Sequence, residues 1–165
     1  MNPSLHDQIV ALLKDSAAPF RLVTHGPTRT SEEAAAARGE PLGCGAKALL
    51  VKADGAFRLL VIPADRKLDS KLAKINLGVH DLRFATPEEL TSVIGVPPGA
   101  VPPFGAPLVA LPLAADPDVG RRYPQVAFNA GSLTMSIVMA AVDWERVAKP
   151  QRITLTTDVP APPSA

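Results

Sequence analysis

The chain has 165 residues, of which 47% are hydrophobic and 20% charged, and its formal net charge at pH 7 is +1. This length fits one domain with a substantial core, and the near-neutral charge argues against a protein that grips long nucleic acid through a broad basic face. One cysteine, three scattered histidines and no long apolar segment predict a soluble cytoplasmic protein with no disulfide, metal, cofactor or membrane partner.

The N-terminal quarter predicts two helices on either side of a short strand. Apolar side chains recur at helical spacing over residues 5–17, behind Ser4 as a predicted N-cap. Residues 20–24 are rich in strand formers. The segment 30–39 predicts a second helix, because it carries two glutamates in its first turn and ends at Gly39.

The middle of the chain predicts a β-hairpin followed by two helices. The apolar runs 46–52 and 56–63 are separated by Ala53-Asp54-Gly55, and Asp-Gly between such runs is a strong hairpin signal. Residues 65–78 predict a helix with a basic face. Residues 86–95 predict a short helix that begins with Thr-Pro.

The last third predicts two further strands and a closing helix. The strands are expected in residues 106–113 and 125–139, the second of them broken at Ala130-Gly131. The helix is expected to be capped near Asp143 or just before it. Strands and helices interleave irregularly along the chain. This pattern favours an α/β fold of the mixed α+β kind, with helices outside a mixed sheet.

Three residues have side chains that chemistry could use, and each allows two interpretations. Lys47 follows Gly43-Cys44-Gly45 at the start of an apolar strand, so it either faces solvent or enters a cleft whose glycines let a ligand approach the backbone. Cys44 is either a small buried thiol or a nucleophile, although no histidine is placed by sequence to activate it. His25 is either a surface loop residue or an acid–base group.

The stretch GVPPGAVPPFG, residues 95–105, offers backbone rather than side chains. Its glycines allow unusual dihedral angles, while its prolines stiffen the path and remove amide donors. Between its two proline pairs, the N–H groups that could face a carbonyl or carboxylate are those of Gly99, Ala100 and Val101. On composition alone, this stretch is a rigid connection between a helix and a strand.

Residues 128–136 combine an amide with a series of hydroxyls. Asn129 ends an apolar run, and Ser132, Thr134 and Ser136 alternate along the next run, which sends their hydroxyls to one face of a strand. This face is either the polar side of a half-exposed strand or a surface that hydrogen-bonds a small polar ligand or orients a water.

The order and spacing of several segments resemble the YbaK/ProX family of aminoacyl-tRNA deacylases, which are related to the editing domain of bacterial prolyl-tRNA synthetase. The segments are TSEEAAAARG, GAKALLVK, VIPADRKLDSKL, ATPEEL followed by GVPPGAVPPFG, and VAFNAGSLTMSI. The resemblance implies a single domain with a mixed, partly barrel-like sheet and surrounding helices. We assign this domain to residues 1–150 and a C-terminal extension to residues 151–165, whose Pro-rich end TTDVPAPPSA, residues 156–165, is expected to be flexible.

The same resemblance implies a set of site residues. Lys47 occupies the place of the signature lysine of the family, and the G-x-x-x-P loop of the family falls on residues 99–103. The expected catalytic residues are Lys47, Gly99, Ala100 and Asn129. The expected substrate-binding residues are Val101, Pro102, Pro103, Phe128, Gly131 and Ser132.

The resemblance implies a trans-editing hydrolase that deacylates tRNA mischarged with serine, threonine or alanine. Some relatives that remove alanine carry a histidine where Asn129 aligns, so serine or threonine is at least as plausible a substrate. An aminoacyl ester is already activated, and its hydrolysis needs a positioned water and a stabilised oxyanion rather than a strong nucleophile or a metal.

The expected partner is the acceptor end of an aminoacyl-tRNA, and the sequence leaves open whether a synthetase is a further partner. The side chains expected to meet tRNA phosphates are Arg66, Lys67, Lys71 and Lys74. Two alternative functions remain at this point: a non-catalytic module that binds an amino acid or an aminoacyl-tRNA end, and a thiol enzyme that uses Cys44.

Overall fold

The computed structural model describes residues 3–28 and 30–157, and these residues form five α-helices and eight β-strands. The helices are α1 (Leu5–Asp15), α2 (Ser31–Arg38), α3 (Ser70–Leu77), α4 (Pro87–Val93) and α5 (Ala141–Ala148). The strands are β1 (Phe20–Thr24), β2 (Ala46–Ala53), β3 (Ala56–Pro63), β4 (Leu82–Phe84), β5 (Leu113–Ala115), β6 (Gln125–Asn129), β7 (Met135–Ala140) and β8 (Gln151–Arg152).

The strands form two sheets that meet at one point. The first sheet is antiparallel, with strand order β1-β7-β6. The second sheet has the order β4-β2-β3-β5-β8 and is mixed, because β5 runs parallel to both of its neighbours. A bridge between Gly45 and Ala127 joins the two sheets. The predicted α/β architecture with a mixed sheet and surrounding helices is confirmed, and the described strands form two sheets rather than one closed barrel.

Local sequence signals place most of the helices and the hairpin correctly. Ser4 caps α1 by accepting the N–H of Asp7, and Gly39 ends α2 in the left-handed conformation with φ of 70°. The hairpin turn at Asp54-Gly55 joins β2 to β3, as predicted. These elements depend on residues close together in the chain, so the sequence pattern is enough to find them.

The strand predicted over residues 106–113 is wrong in extent. Only its end belongs to β5, because Pro107 and Pro112 lack the N–H group that a strand ladder needs. The cap of the last helix lies slightly earlier than predicted, three residues before Asp143. The side chain of Asp143 lies within the first turn of α5, where a carboxylate favours the positive end of the helix, and Ala140 holds the cap position.

The helix predicted over residues 65–78 begins later than expected, at Ser70. The carboxylate of Asp69 accepts the N–H of Leu72 and caps α3, so the chain before it is not helical. Lys67 therefore lies outside the helix, and the predicted basic face is reduced to the lysines of α3 itself.

The buried Trp144 side chain holds the second half of the Pro/Gly stretch against the core. Its indole Nε1 donates to the carbonyl of Pro103 at 3.0 Å. Beside it, the ring of Phe104 packs edge-to-face on Phe128, with 5.4 Å between ring centroids. Residues 100–105 are consequently buried, whereas Gly99 remains exposed.

Replacing the indole by a smaller ring tests this anchor. We expect Trp144→Phe to lower the free energy of unfolding by about 1–3 kcal/mol, because the buried Pro103 carbonyl loses its donor. Urea unfolding followed by circular dichroism measures the change. Val142→Ala alters an exposed side chain of the same helix and should leave the unfolding midpoint unchanged. An unchanged midpoint for Trp144→Phe would contradict the anchoring role.

The chain beyond residue 150 continues into the second sheet. β8 pairs with β5, and Leu155 is fully buried. The carboxylate of Asp116 accepts the N–H groups of Leu155 and Thr156 and the Thr156 hydroxyl, at 2.9–3.0 Å. The flexible tail predicted over residues 156–165 is wrong at its start, because Thr156 is buried and hydrogen-bonded. Residues 158–165 of this tail lie outside the described residues. Within the described ranges, none of the helices is long and apolar enough to cross a membrane.

Candidate active site

A cavity of about 260 Å³ lies at the point where the two sheets meet. Both residues of the connecting bridge, Gly45 and Ala127, belong to its wall. The remaining wall comes from α2 and the loop before it, the start of β2, the Pro/Gly stretch and the end of β6. The lining residues with polar or charged side chains are Thr28, Thr30, Ser31, Arg38, Lys47 and Asn129.

The structure brings half of the predicted site residues together in this cavity. The predicted residues that line it are Lys47, Gly99, Val101, Phe128 and Asn129. The predicted residues outside its lining are Ala100, Pro102, Pro103, Gly131 and Ser132. The residues that line the cavity come from both sheets and from the Pro/Gly stretch. No local sequence pattern predicts that these three parts of the chain meet.

Ala100 is a turn residue rather than an amide donor to a substrate. It is fully buried, and its N–H already donates to the carbonyl of Pro97 at 3.1 Å. The N–H groups of Gly99 and Val101 have no hydrogen-bond partner within residues 3–28 and 30–157. Of the three amides that the sequence offers, these two remain available.

The predicted face of alternating hydroxyls is wrong. The turn between β6 and β7 extends to Thr134, so Ser132 and Thr134 do not lie on a strand; their hydroxyls lie 3.1 Å apart within this turn. Ser136, in contrast, lies in β7 and is fully buried. Gly131 adopts φ of 71° in the same turn, packed against the start of α1.

Lys47 satisfies both interpretations that the sequence left open. It occupies the start of β2 opposite Ile62 of β3, is exposed to solvent, and lines the cavity. No carboxylate in the described part of the chain forms an ion pair with it. Its ammonium group is therefore a cation at the edge of the cavity that is not neutralised by an ion pair.

Asn129 connects the Pro/Gly stretch to a buried polar network. Its Nδ2 donates to the carbonyl of Gly99 at 2.7 Å. Its Oδ1 accepts from Nη2 of Arg38 at 3.0 Å and from Oγ of Ser136 at 3.1 Å. Arg38 Nε also donates to Ser136 Oγ at 3.0 Å, and Nε2 of His25 lies 2.8 Å from the same oxygen. This network fixes the Asn129 side chain, which in turn holds the peptide of Gly99.

Arg38 is a buried cation that the sequence interpretation missed. Its side chain lies on the same face of α2 as Ala34 and Ala35, and only 8% of the residue is exposed. Burial lowers the pKa of its guanidinium to about 10, so the group stays charged at neutral pH. The available signal was its position four residues after Ala34, on the buried face of an alanine-rich helix.

Comparison with known proteins identifies the family. Residues 25–147 match the model of the aminoacyl-tRNA editing domain. This chain belongs to that family. The predicted family is thereby confirmed, and the matched residues of the editing domain contain the whole lining of the cavity.

Several relatives of this editing domain support the assignment. The multifunctional Ser/Thr-tRNA deacylase ProXp-y of Escherichia coli strain K12 is 35% identical over 152 residues, which cover 90% of each chain. A proline–tRNA ligase of Acidithiobacillus ferrooxidans is 31% identical over 118 residues, which cover 72% of this chain and 20% of the ligase. The crystal structure of a candidate trans-editing enzyme for prolyl-tRNA synthetase superposes with a TM-score of 0.81 at 26% identity, covering 95% of this chain and 99% of that one.

Cys44 lies outside the lining of the cavity of the editing domain. The residue is 5% exposed, and burial raises the pKa of its thiol. A buried thiol with a raised pKa forms little of the thiolate that a nucleophile requires. The structure therefore argues against the thiol-enzyme hypothesis.

The predicted phosphate-binding side chains of the editing domain differ in their availability. Arg66 forms an ion pair with Asp118, and its side chain is only 10% exposed. It is therefore a structural residue rather than part of an exposed basic surface. Lys67 and Lys71 are exposed, and Lys74 is half-buried. The described residues contain no group of three or more histidine, cysteine, aspartate or glutamate side chains that could hold a metal ion.

Proposed function

We propose that this editing domain is an aminoacyl-tRNA deacylase, which hydrolyses in trans the ester of tRNA charged with serine, threonine or alanine. The observation that carries the proposal is that Lys47, Gly99 and Asn129 line one cavity, although they belong to different parts of the fold. The similarity to the Ser/Thr-tRNA deacylase over 90% of both chains supports the same reaction.

The size of the cavity favours a small amino acid. Its volume of about 260 Å³ lies below the usual range for a drug-sized ligand. Much of its apolar wall consists of alanine methyl groups, from Ala34, Ala46 and Ala48. These residues leave room for a short side chain, while the ribose of the terminal adenosine would lie toward the exposed Lys47.

The reaction requires a water oxygen to attack the ester carbonyl carbon. The carbon–oxygen bond to the ribose then breaks, and a proton passes to the ribose oxygen that leaves. The transition state carries negative charge on the carbonyl oxygen, and preorganised donors stabilise it. We assign this role to the amides of Gly99 and Val101, supported by the positive charges of Lys47 and Arg38.

Asn129 acts in this proposal as a positioning residue. Its Nδ2 holds the Gly99 carbonyl at 2.7 Å, which fixes the exposed end of the Pro/Gly stretch. Trp144 holds the buried end of the same stretch through the carbonyl of Pro103.

We extend the proposal to the tRNA and its surroundings. The exposed Lys47, Lys67 and Lys71 are the side chains we assign to phosphates near the acceptor end. A cytoplasmic location and a synthetase partner are further parts of the proposal. The relationship to a segment of proline–tRNA ligase supports a role beside that enzyme.

A panel of aminoacyl-tRNAs tests the function. We expect release of serine, threonine or alanine from tRNA above the rate of the Lys47→Ala variant, and no release of phenylalanine, which the small cavity excludes. The measurement is the amount of labelled amino acid that stays attached to tRNA over time. Hydrolysis of none of the small esters above the variant would overturn the proposal.

A further inference from the structure

One residue that lines the cavity carries a hydroxyl with no hydrogen-bond partner in the described part of the chain. Thr28 lies between β1 and α2, and its backbone N–H donates to the carbonyl of Leu133 at 3.3 Å. The residue is 8% exposed, and its Oγ1 atom is buried without a hydrogen bond. Buried hydroxyls are nearly always paired, because an unpaired one has lost its contacts with water. Thr28 is therefore a lining residue of the cavity that carries an unsatisfied hydroxyl.

The charges around Thr28 limit the kind of group that can pair with it. Arg38 and Lys47 place two cations in the lining, and no carboxylate belongs to that lining within residues 3–28 and 30–157. An ammonium group is repelled by such a wall, so the α-amino group of an aminoacyl ester is better placed toward the cavity mouth. A neutral hydroxyl both donates and accepts a hydrogen bond, and it satisfies Thr28 without adding a charge.

We infer that Thr28 Oγ1 hydrogen-bonds the side-chain hydroxyl of a seryl or threonyl ester, which makes Thr28 a specificity-determining residue of the cavity. The inference rests on the proposed deacylase function and adds the residue that distinguishes serine and threonine from alanine. With an alanyl ester, the Thr28 hydroxyl stays unpaired. A site with a buried polar group discriminates against a ligand that cannot pair with it.

Thr28→Val tests the inference, because valine keeps the shape of threonine and removes its hydroxyl. We expect kcat/KM for seryl-tRNA to fall about 10-fold, the loss of one hydrogen bond, while kcat/KM for alanyl-tRNA stays unchanged. Both esters are placed on the same tRNA, so that tRNA contacts cancel from the ratio. Thr28→Ser retains the hydroxyl and should retain the preference for serine. An unchanged ratio for Thr28→Val, or an equal loss for both esters, would overturn the inference.

Stability provides a second readout for the same variant. Thr28→Val replaces an unpaired buried hydroxyl by a methyl group, so its Tm should equal or exceed that of the unchanged protein. Thr91→Val is the matched control, because Thr91 lies on the exposed surface of α4, where its hydroxyl donates to Pro87. This control should leave the ratio of seryl to alanyl hydrolysis unchanged. A clear fall in Tm for Thr28→Val would assign the hydroxyl a structural role and contradict the inference.

A binding measurement separates this inference from the proposed function. The probes are 3′-seryl-amino-3′-deoxyadenosine and its alanyl counterpart, whose amide linkage resists hydrolysis, titrated by calorimetry. We expect the unchanged protein to bind the seryl probe about 10-fold more tightly, and Thr28→Val to bind both probes equally. If no aminoacyl-tRNA is hydrolysed but this difference is found, the deacylase function fails and the role of Thr28 stands. If esters are hydrolysed but Thr28→Val keeps the original preference for the seryl probe, the role of Thr28 is overturned and the function stands.

Discussion

Lys47→Ala should lower kcat/KM for the deacylation of seryl-tRNA by roughly 100-fold to 1000-fold, the range typical for the loss of one oxyanion-stabilising group. The lysine is the exposed cation at the edge of the cavity, and it has no ion pair within the described residues. Its removal breaks no described ion pair, so the Tm should stay close to that of the unchanged protein. The two steady-state parameters show how the lysine acts. A loss in kcat assigns it to the transition state, and a rise in KM alone assigns it to tRNA phosphate.

Lys52→Ala is the matched control for this substitution. Lys52 lies on the same strand, but it faces the ring of Phe57 at 5.1 Å and the carboxylate of Glu89 at 3.9 Å, and it does not line the cavity. The control removes one positive charge from β2 without touching the site, and it should leave kcat/KM unchanged. Equal losses for both variants would mean that the overall charge of the surface matters, rather than the position of Lys47.

Arg38→Met should lower kcat by roughly 100-fold while leaving the Tm unchanged or higher. The guanidinium supplies a buried positive charge to the cavity wall, and methionine fills similar space without charge. Burying a cation costs desolvation free energy, and replacing it by an apolar side chain of similar volume is often neutral or stabilising. After the change, Ser136 still donates to Asn129, so this pair keeps a hydrogen bond. We therefore expect kcat to fall while the Tm does not.

Differential scanning calorimetry and single-turnover deacylation measure these two outcomes on the same preparation. Arg21→Met provides the control, because Arg21 forms an exposed ion pair with Glu40 and its side chain is 53% exposed. Pairs of this kind contribute about 0–1 kcal/mol, so both the Tm and kcat should be close to those of the unchanged protein. A large fall in Tm together with an unchanged kcat for Arg38→Met would show that the arginine is purely structural.

Elements that depend on neighbouring residues were predictable from the sequence. Ser4, Gly39 and the Asp54-Gly55 turn each act within a few residues, and the structure places all three as expected. The short strands β4 and β8 were missed. They contain three and two residues and exist only because β2 and β5 offer free edges to them. Such strands carry too little local pattern to be recognised without their partners.

Residues of the candidate site were predictable where they belong to the segments that resemble the family. They were not predictable where their role depends on packing against distant parts of the chain. Lys47 and Gly99 were found through the spacing of the family segments. Arg38 and Thr28 were not found, because their importance depends on burial against distant parts of the chain: Arg38 donates to Ser136, which is 98 positions away. An arginine in the last turn of a helix is usually exposed to solvent, so its position four residues after Ala34 was too weak a signal to predict burial.

The bridge between Gly45 and Ala127 is the one backbone pairing that joins the two sheets within the described residues. Lys47 belongs to one sheet and Asn129 to the other, and behind them side chains of both sheets share one hydrophobic core, among them Ala46, Val61 and Phe128. The candidate active site therefore lies at the boundary between two sheets. We expect a change of core volume at this boundary to shift one sheet relative to the other and to misalign Lys47 and Asn129, while the hydrogen bonds within each sheet stay intact. Conservative core substitutions near the bridge should therefore act on the catalytic rate before they act on folding.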